Sequence, residues 1–197
     1  MIVSREISGI ILAGGQGRRM GGVDKGLQLL RGKPMVEHVI ERFAPQVNEV
    51  MINANQNLDQ YAAFGYQVIP DLIGGFAGPL AGLHRGLSSA RHNLVATAPC
   101  DSPFLPINLM ARLHEALVRE QAELAVAKTG DQAHPVFCLT HKSVLRGLTE
   151  FLQSGGRKID AWYSTLKFVE VLFDDHAEAF SNINTVSELS DLQGRPG

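Results

Sequence analysis

Glycines, basic side chains and isolated carboxylates crowd into a few short segments of this sequence, and each segment suits work on a phosphate. Six of the thirteen residues from Gly14 to Gly26 are glycine, with Arg18, Arg19 and Lys25 among them. Residues 16–33 add Arg31 and Lys33 and hold one acid, Asp24, so their net charge is +4 in a chain whose total is −2. Backbone N–H groups bared by glycine, with cations beside them, can cradle an anion. The same composition also fits an ordinary βα loop with a solvated basic face. Two common phosphate fingerprints fail here. GxGxxG would need glycine where Met20 stands, and a Walker loop after Gly17–Gly22 would need Lys-Ser/Thr where Val23-Asp24 stand.

Three further positions follow apolar runs. Asp101 lies in Pro99-Cys-Asp-Ser-Pro-Phe104, where a carboxylate suits Mg²⁺, which binds through one or two carboxylates plus substrate phosphates. It would equally cap a turn, since Asp before Ser-Pro favours one. Asp71, after Val68-Ile-Pro70, invites the same two readings. Asn53 could hydrogen-bond a base or ribose, or simply close a turn. The second glycine segment, Gly74-Gly-Phe-Ala-Gly-Pro-Leu-Ala-Gly82, fits either a backbone that approaches a ligand or tight helix–sheet packing. The seven histidines show no H-x₃-H or HExxH spacing, so zinc is not expected. Without G-x-S-x-G, an acyl-transfer serine hydrolase has no support.

These residues need a scaffold, and the apolar pattern predicts one. Strands are expected at Ile7–Ala13, Val50–Asn53, Tyr66–Ile69, Leu94–Ala98, Leu124–Ala127, Val136–Leu139 and Phe168–Phe173. Helical stripes start at Pro34 (Met35, Val36, Val39, Ile40, Phe43) and near Pro79 (Leu80, Leu83, Leu87). Further helices are expected at Leu109–Leu117, Val144–Leu152 and Lys158–Leu166, with a last one signalled by the capping box Thr185-x-x-Glu188. Such alternation implies an α/β fold, a mainly parallel sheet between helices on both faces. Ligands of these sheets sit beyond the carboxyl ends of the strands, where Gly14, Asn53, Asp71 and Asp101 fall. At 197 residues and 45% hydrophobic, the chain is expected to form one domain, 1–197, with a full core. No run approaches the ~20 apolar residues of a membrane span, and Arg5-Glu6 interrupts any secretory core. Cys100 and Cys138 read as reduced cytosolic thiols. The near-neutral total argues against nucleic-acid binding.

Taken in order, the residues resemble a known family. Leu12-Ala-Gly-Gly-x-x-x-Arg-Met-Gly-x-x-Asp-Lys-Gly-Leu27 closely resembles the signature of the molybdenum cofactor guanylyltransferases. The likeness continues through Gly32-Lys-Pro34, Asn53-Ala-Asn55, Gly78-Pro-Leu-Ala-Gly82, Pro99-Cys-Asp101, His134-Pro135 and Asn182-Ile-Asn184-Thr185. The resemblance implies a three-layer αβα, Rossmann-like fold of the nucleotide-diphosphosugar-transferase type. It implies transfer of GMP from GTP to the terminal phosphate of molybdenum-bearing molybdopterin, with Mg²⁺ as cofactor and pyrophosphate released. Carried over by position, Leu12, Ala13, Gly14 and Gly15 contact the guanine nucleotide, Lys25 faces the phosphates, Asn53 and Asp71 the nucleoside, and Asp101 the metal. Arg19, Gly22, Gly78, Gly82, Asn182 and Asn184 line the same cleft, with Arg19 and Lys25 meeting the triphosphate charge. Arg157, in Gly155-Gly-Arg-Lys158, resembles the family's basic segment. Transient contacts with molybdenum-insertion proteins and molybdoenzyme chaperones are implied as well. Two alternatives stay open: a nucleotidyltransferase of the same fold for another base or acceptor, such as a cytidylyltransferase, and a non-catalytic nucleotide-binding module.

Overall fold

The structure, a computed structural model, describes residues 6–14, 24–74 and 78–180. The elements run β1 (Ile7–Leu12), β2 (Leu29–Leu30), β3 (Lys33–Pro34), α1 (Met35–Phe43), β4 (Glu49–Asn53), α2 (Leu58–Ala62) and β5 (Gln67–Ile69). They continue with α3 (Pro79–Ser89), β6 (Leu94–Pro99), α4 (Leu109–Arg119), β7 (Leu124–Thr129), β8 (Gln132–His141), α5 (Leu145–Gln153), α6 (Ile159–Tyr163) and β9 (Phe168–Leu172). Seven strands form one sheet in the order β5-β4-β1-β6-β8-β7-β9. All run parallel except β8, which pairs antiparallel with both β6 and β7.

Alternation along the strands divides the core between two faces, as a period of two requires. Ile7 and Ile11 of β1, Ile52 of β4, Ala96 and Ala98 of β6 and Ala125 and Ala127 of β7 pack under α1 and α4. Ile10, Met51, Val95, Leu124 and Val126 point the other way, under α3, α5 and α6. The result is the three-layer αβα arrangement expected from the sequence. The helices owe their place to their buried stripes: Met35, Val36, Val39, Ile40 and Phe43 on α1, and Leu80, Leu83 and Leu87 on α3.

Several elements differ from expectation. Pro34 does not open α1 but ends β3, pairing with Leu29, and stands at the N-cap. The β2–β3 hairpin turns on Arg31 and Gly32, with φ of 53° and 77°, the left-handed pair of a tight two-residue turn. Strand β8 is longer than Val136–Leu139 suggested and reverses direction after Gly130-Asp131, a hairpin signal present in the sequence. α2 was not foreseen, because five residues are too few to display a helical stripe. The helix expected after Thr185 lies outside the described residues.

The β7–β8 pairing jumps register between Val126↔Cys138 and Ala127↔His134, so Pro135, Val136 and Phe137 bulge out of the ladder. Proline donates no ladder hydrogen bond and favours such places. The released carbonyls are used. Tyr163 Oη donates to Pro135 O, and Thr97 Oγ1 donates to Val136 O at 2.7 Å.

Candidate active site

Three parallel strands end level with one another. Ala13 N donates to Asn53 O at 2.8 Å and Cys100 N to Leu12 O at 3.1 Å, carrying the ladder one residue past β1 and β6. Leu12-Ala13-Gly14, Asn53-Ala54-Asn55 and Cys100-Asp101 therefore share one edge of the sheet, with β5 delivering Asp71 beside them. A parallel sheet exposes its ligand crevice at this edge.

Asp101 lies in the turn directly after β6 and is only 8% exposed. Its Oδ2 accepts a hydrogen bond from Lys25 Nζ at 3.1 Å, an ion pair spanning 76 residues of sequence. Lys25 begins a single 3₁₀ turn, Lys25–Leu27, capped by Asp24, whose Oδ1 accepts from Gly26 N at 3.2 Å. That turn sits hard against β6: a Cβ at Gly26 would lie 2.5 Å from Tyr61 Oη and 3.1 Å from Cys100 Sγ. Burial raises the Cys100 thiol well above its ordinary value, and the Asp101 and Asp24 carboxylates add to it. The thiol stays protonated and is not a nucleophile here.

On the other side of β1, Asn53 is 3% exposed and spends its amide on fixed partners. Nδ2 donates to Ile69 O at 3.0 Å and to Asp71 Oδ1 at 2.8 Å. Asn55 closes a second link, Nδ2 donating to Asp71 Oδ2 at 2.9 Å while its Oδ1 accepts from Asp71 N at 2.9 Å. The amide of Asn53 thus orients Asp71, the more exposed of the two. Gly82 faces the same pair of elements: a Cβ there would lie 2.4 Å from Asn53 Oδ1 and 2.6 Å from Leu12 Cδ2. Its smallness has a packing reason, one of the two alternatives for the second glycine segment. Gly78 caps α3 with φ 64° and ψ −151°, a conformation that only glycine adopts without strain.

Strand ends place Gly14, Asn53, Asp71 and Asp101 at one edge, and the family resemblance adds Leu12, Ala13, Lys25, Gly78 and Gly82. The structure brings Leu12, Ala13, Gly14, Lys25, Asn53, Asp71, Gly82 and Asp101 together there, with Gly78 at the start of α3. Arg157 instead caps the end of α5, its Nη1 donating to the carbonyls of Leu152 at 2.9 Å and Gly156 at 2.6 Å. Gly15, Arg19, Gly22, Asn182 and Asn184 lie outside the described residues. Asp24 and Tyr61 were not singled out. Asp24 could have been, as the one acid in a +4 segment, whereas nothing local marks Tyr61.

The chain matches the family described as the MobA-like NTP transferase domain over residues 9–167. It is 52% identical over 194 residues to the molybdenum cofactor guanylyltransferase of Cupriavidus pinatubonensis, covering 96% of this chain and 97% of that one. It is 50% identical over 204 residues to the protein of the same name from Ralstonia nicotianae, covering 99% and 100%. The chain belongs to the molybdenum cofactor guanylyltransferase family. As a member of that family it is a nucleotidyltransferase. Two solved structures share its fold. One is molybdopterin-guanine dinucleotide biosynthesis protein A of Archaeoglobus fulgidus, with TM-score 0.77, 24% identity and 94% and 96% of the two chains covered. The other is a nucleotidyl transferase of Methanothermobacter, with TM-score 0.73, 19% identity and 96% and 97% covered.

The donor set decides what metal such a guanylyltransferase site could hold. Among the described residues no three His, Cys, Asp or Glu side chains gather as a metal cage. Asp101 offers hard carboxylate oxygen alone, so phosphate oxygens and water would have to complete the coordination, which is how Mg²⁺ is usually bound.

Proposed function

We propose that this chain transfers GMP from GTP to the terminal phosphate of molybdopterin carrying molybdenum, forming the guanine dinucleotide and releasing pyrophosphate in a Mg²⁺-dependent reaction. The Lys25–Asp101 pair at the end of β6, beside the Leu12-Ala13-Gly14 edge, carries this reading. One carboxylate and one ammonium, mutually neutralised before substrate arrives, are the two charges that a nucleoside triphosphate and its metal call for. Asp101 would hold Mg²⁺, which when bound withdraws negative charge from the phosphates.

Attack of one phosphate on another sets anion against anion, so positioning and charge neutralisation dominate over covalent chemistry. Lys25 turns from Asp101 to the phosphates and meets the charge that builds on the departing pyrophosphate. The acceptor phosphate is already largely ionised near neutral pH, so no general base is needed. Backbone groups of Leu12, Ala13 and Gly14 face the nucleoside, and Asp71, oriented by Asn53 and Asn55, faces the sugar or base. Arg19, Gly15, Gly22, Asn182 and Asn184 belong to the same cleft in this reading. The enzyme works in the cytoplasm, with transient contacts to the proteins that load molybdenum and accept the cofactor.

The experiment is pyrophosphate release with each of GTP, CTP and ATP, Mg²⁺ and molybdenum-loaded molybdopterin. Buried polar groups left unpaired by the wrong base penalise it strongly, so GTP is expected to be favoured at least tenfold in kcat/KM. Equal kcat/KM for CTP would move the reading to a cytidylyltransferase, and no release with any nucleotide would reduce the chain to a binding module.

A further inference from the structure

Helix α2 contributes little to the core apart from Tyr61, yet the Tyr61 hydroxyl and the Asn57 amide before the helix converge on one carboxylate. Tyr61 is fully buried and its Oη donates to Asp24 Oδ1 at 2.5 Å. Asn57, the residue before the helix, adopts φ 52° and ψ 35°, and its Nδ2 donates to Asp24 Oδ2 at 2.9 Å. Asp24 Oδ1 also accepts from Gly26 N. Both oxygens of Asp24 are therefore occupied, from two directions, on the residue that precedes Lys25. A left-handed asparagine is uncommon, and here the conformation accompanies an amide placed on the carboxylate. Burial also holds the Tyr61 phenol far above its ordinary value, so it remains a donor at any working pH.

The geometry points to Tyr61 as a positioning residue that, through Asp24, holds the Lys25 turn against the end of β6, so that the ammonium arrives beside Asp101 and the nucleotide phosphates. The inference rests on the phosphate role read for Lys25 above. Packing alone does not account for the arrangement. A phenylalanine would fill the same space, whereas the hydroxyl reaches the carboxylate that caps the Lys25 turn. The absence of room for a Cβ at Gly26, 2.5 Å from that hydroxyl, shows how closely the turn is pressed onto it. A lysine side chain has many rotamers, and a charge displaced by about an ångström loses much of its effect on a transition state.

Tyr61→Phe keeps the ring and removes the hydroxyl. Because Asp24 keeps Gly26 and Asn57, the expected loss is about 5- to 20-fold in kcat for GMP transfer, a fraction of what a charge-assisted contact is worth. If Tyr61 acts through Lys25, the double variant with Lys25→Ala falls no further than Lys25→Ala alone, within about twofold. Amide hydrogen exchange supplies a substrate-free reading: at Gly26 it should accelerate at least about tenfold in Tyr61→Phe, while core strand β6 stays protected. The inference is overturned by kcat within twofold of wild type, by a double variant whose losses multiply, or by unchanged exchange at Gly26. A wild-type chain that transfers no nucleotide would refute the functional reading, and the Gly26 exchange would then decide the positioning role by itself.

Discussion

Replacing Lys25 with alanine breaks a partly buried ion pair whose side chains are 21% and 12% exposed, with Nζ and Oδ2 3.1 Å apart. A hydrogen bond to a charged group contributes about 1.5–3 kcal/mol, and removing the cation takes from Asp101 its ion-pair partner among the described residues. Unfolding entropy of about 2.1 cal/mol/K per residue sums to about 0.4 kcal/mol/K over 197 residues. A stability loss of that size therefore lowers Tm by roughly 4–7 °C. The catalytic loss is separate. If the ammonium meets charge that develops on the leaving pyrophosphate, the same 1.5–3 kcal/mol appears in the transition state, and kcat and kcat/KM fall together by roughly 10- to 150-fold. Lys25→Arg should recover only part, because a planar fork does not replace a point charge. The assay is steady-state pyrophosphate release at a temperature well below every Tm, with circular dichroism confirming the fold of each variant. A variant that loses stability but keeps kcat and kcat/KM within about twofold would show Lys25 to be a structural partner of Asp101 alone. The phosphate assignment would then pass to Arg19.

Asp101→Ala is expected to abolish turnover while the fold survives, since a carboxylate at a strand end is not core packing, and EDTA should do the same to wild type until Mg²⁺ is restored. Full activity in either case removes the metal assignment. Gly82→Ala should destabilise by about 1–3 kcal/mol through overpacking, because its Cβ would meet Asn53 Oδ1 at 2.4 Å, and thermal unfolding with Tm unchanged would show the packing to be looser than that. Acid should weaken the fold below neutrality. Burial, reinforced by Arg85 and opposed by Asp71, holds His84 below its ordinary pKa, and burial does the same to His134. A depressed histidine leaves the unfolded chain binding the proton first, so its stabilising contribution is full above about pH 6.5 and fades as pH falls toward the folded value. His84→Gln should flatten the drop in Tm between pH 7.5 and pH 5.5, and an unaltered slope would exclude His84 as a source.

Catalytically, Asp101 was legible because it combines an acid with a strand end. Lys25 was legible only as one of three cations in the glycine-rich segment. The local pattern offers Arg19 and Lys25 together as phosphate cations, and nothing in it pairs Lys25 with a carboxylate 76 residues away. That pairing depends on β1 and β6 becoming neighbours, with the Lys25–Leu27 turn lying at the end of β6. The task of Asn53 was hidden for a similar reason. Its amide is consumed by Ile69 at the end of β5 and by Asp71 just beyond, on a segment that becomes adjacent only when the sheet forms.

By itself the sequence determined most strands of the main sheet, the longer helices and their buried sides. Burial imposes a period of 3.6 on a helix, which Met35, Val36, Val39, Ile40 and Phe43 display on α1, and the short apolar run of β1, buried on both faces, marks a strand without reference to anything distant. It also marked the strand ends where chemistry could sit. The tertiary structure decided which elements touch: the reversal of β8 within an otherwise parallel sheet, the gathering of Asp24, Asn57 and Tyr61 around one turn, and the meeting of Lys25 with Asp101. The division has a physical cause. Periodicity is a local record of which atoms leave water, whereas hydrogen bonds and ion pairs form between partners that the chain brings together only after its layers have packed.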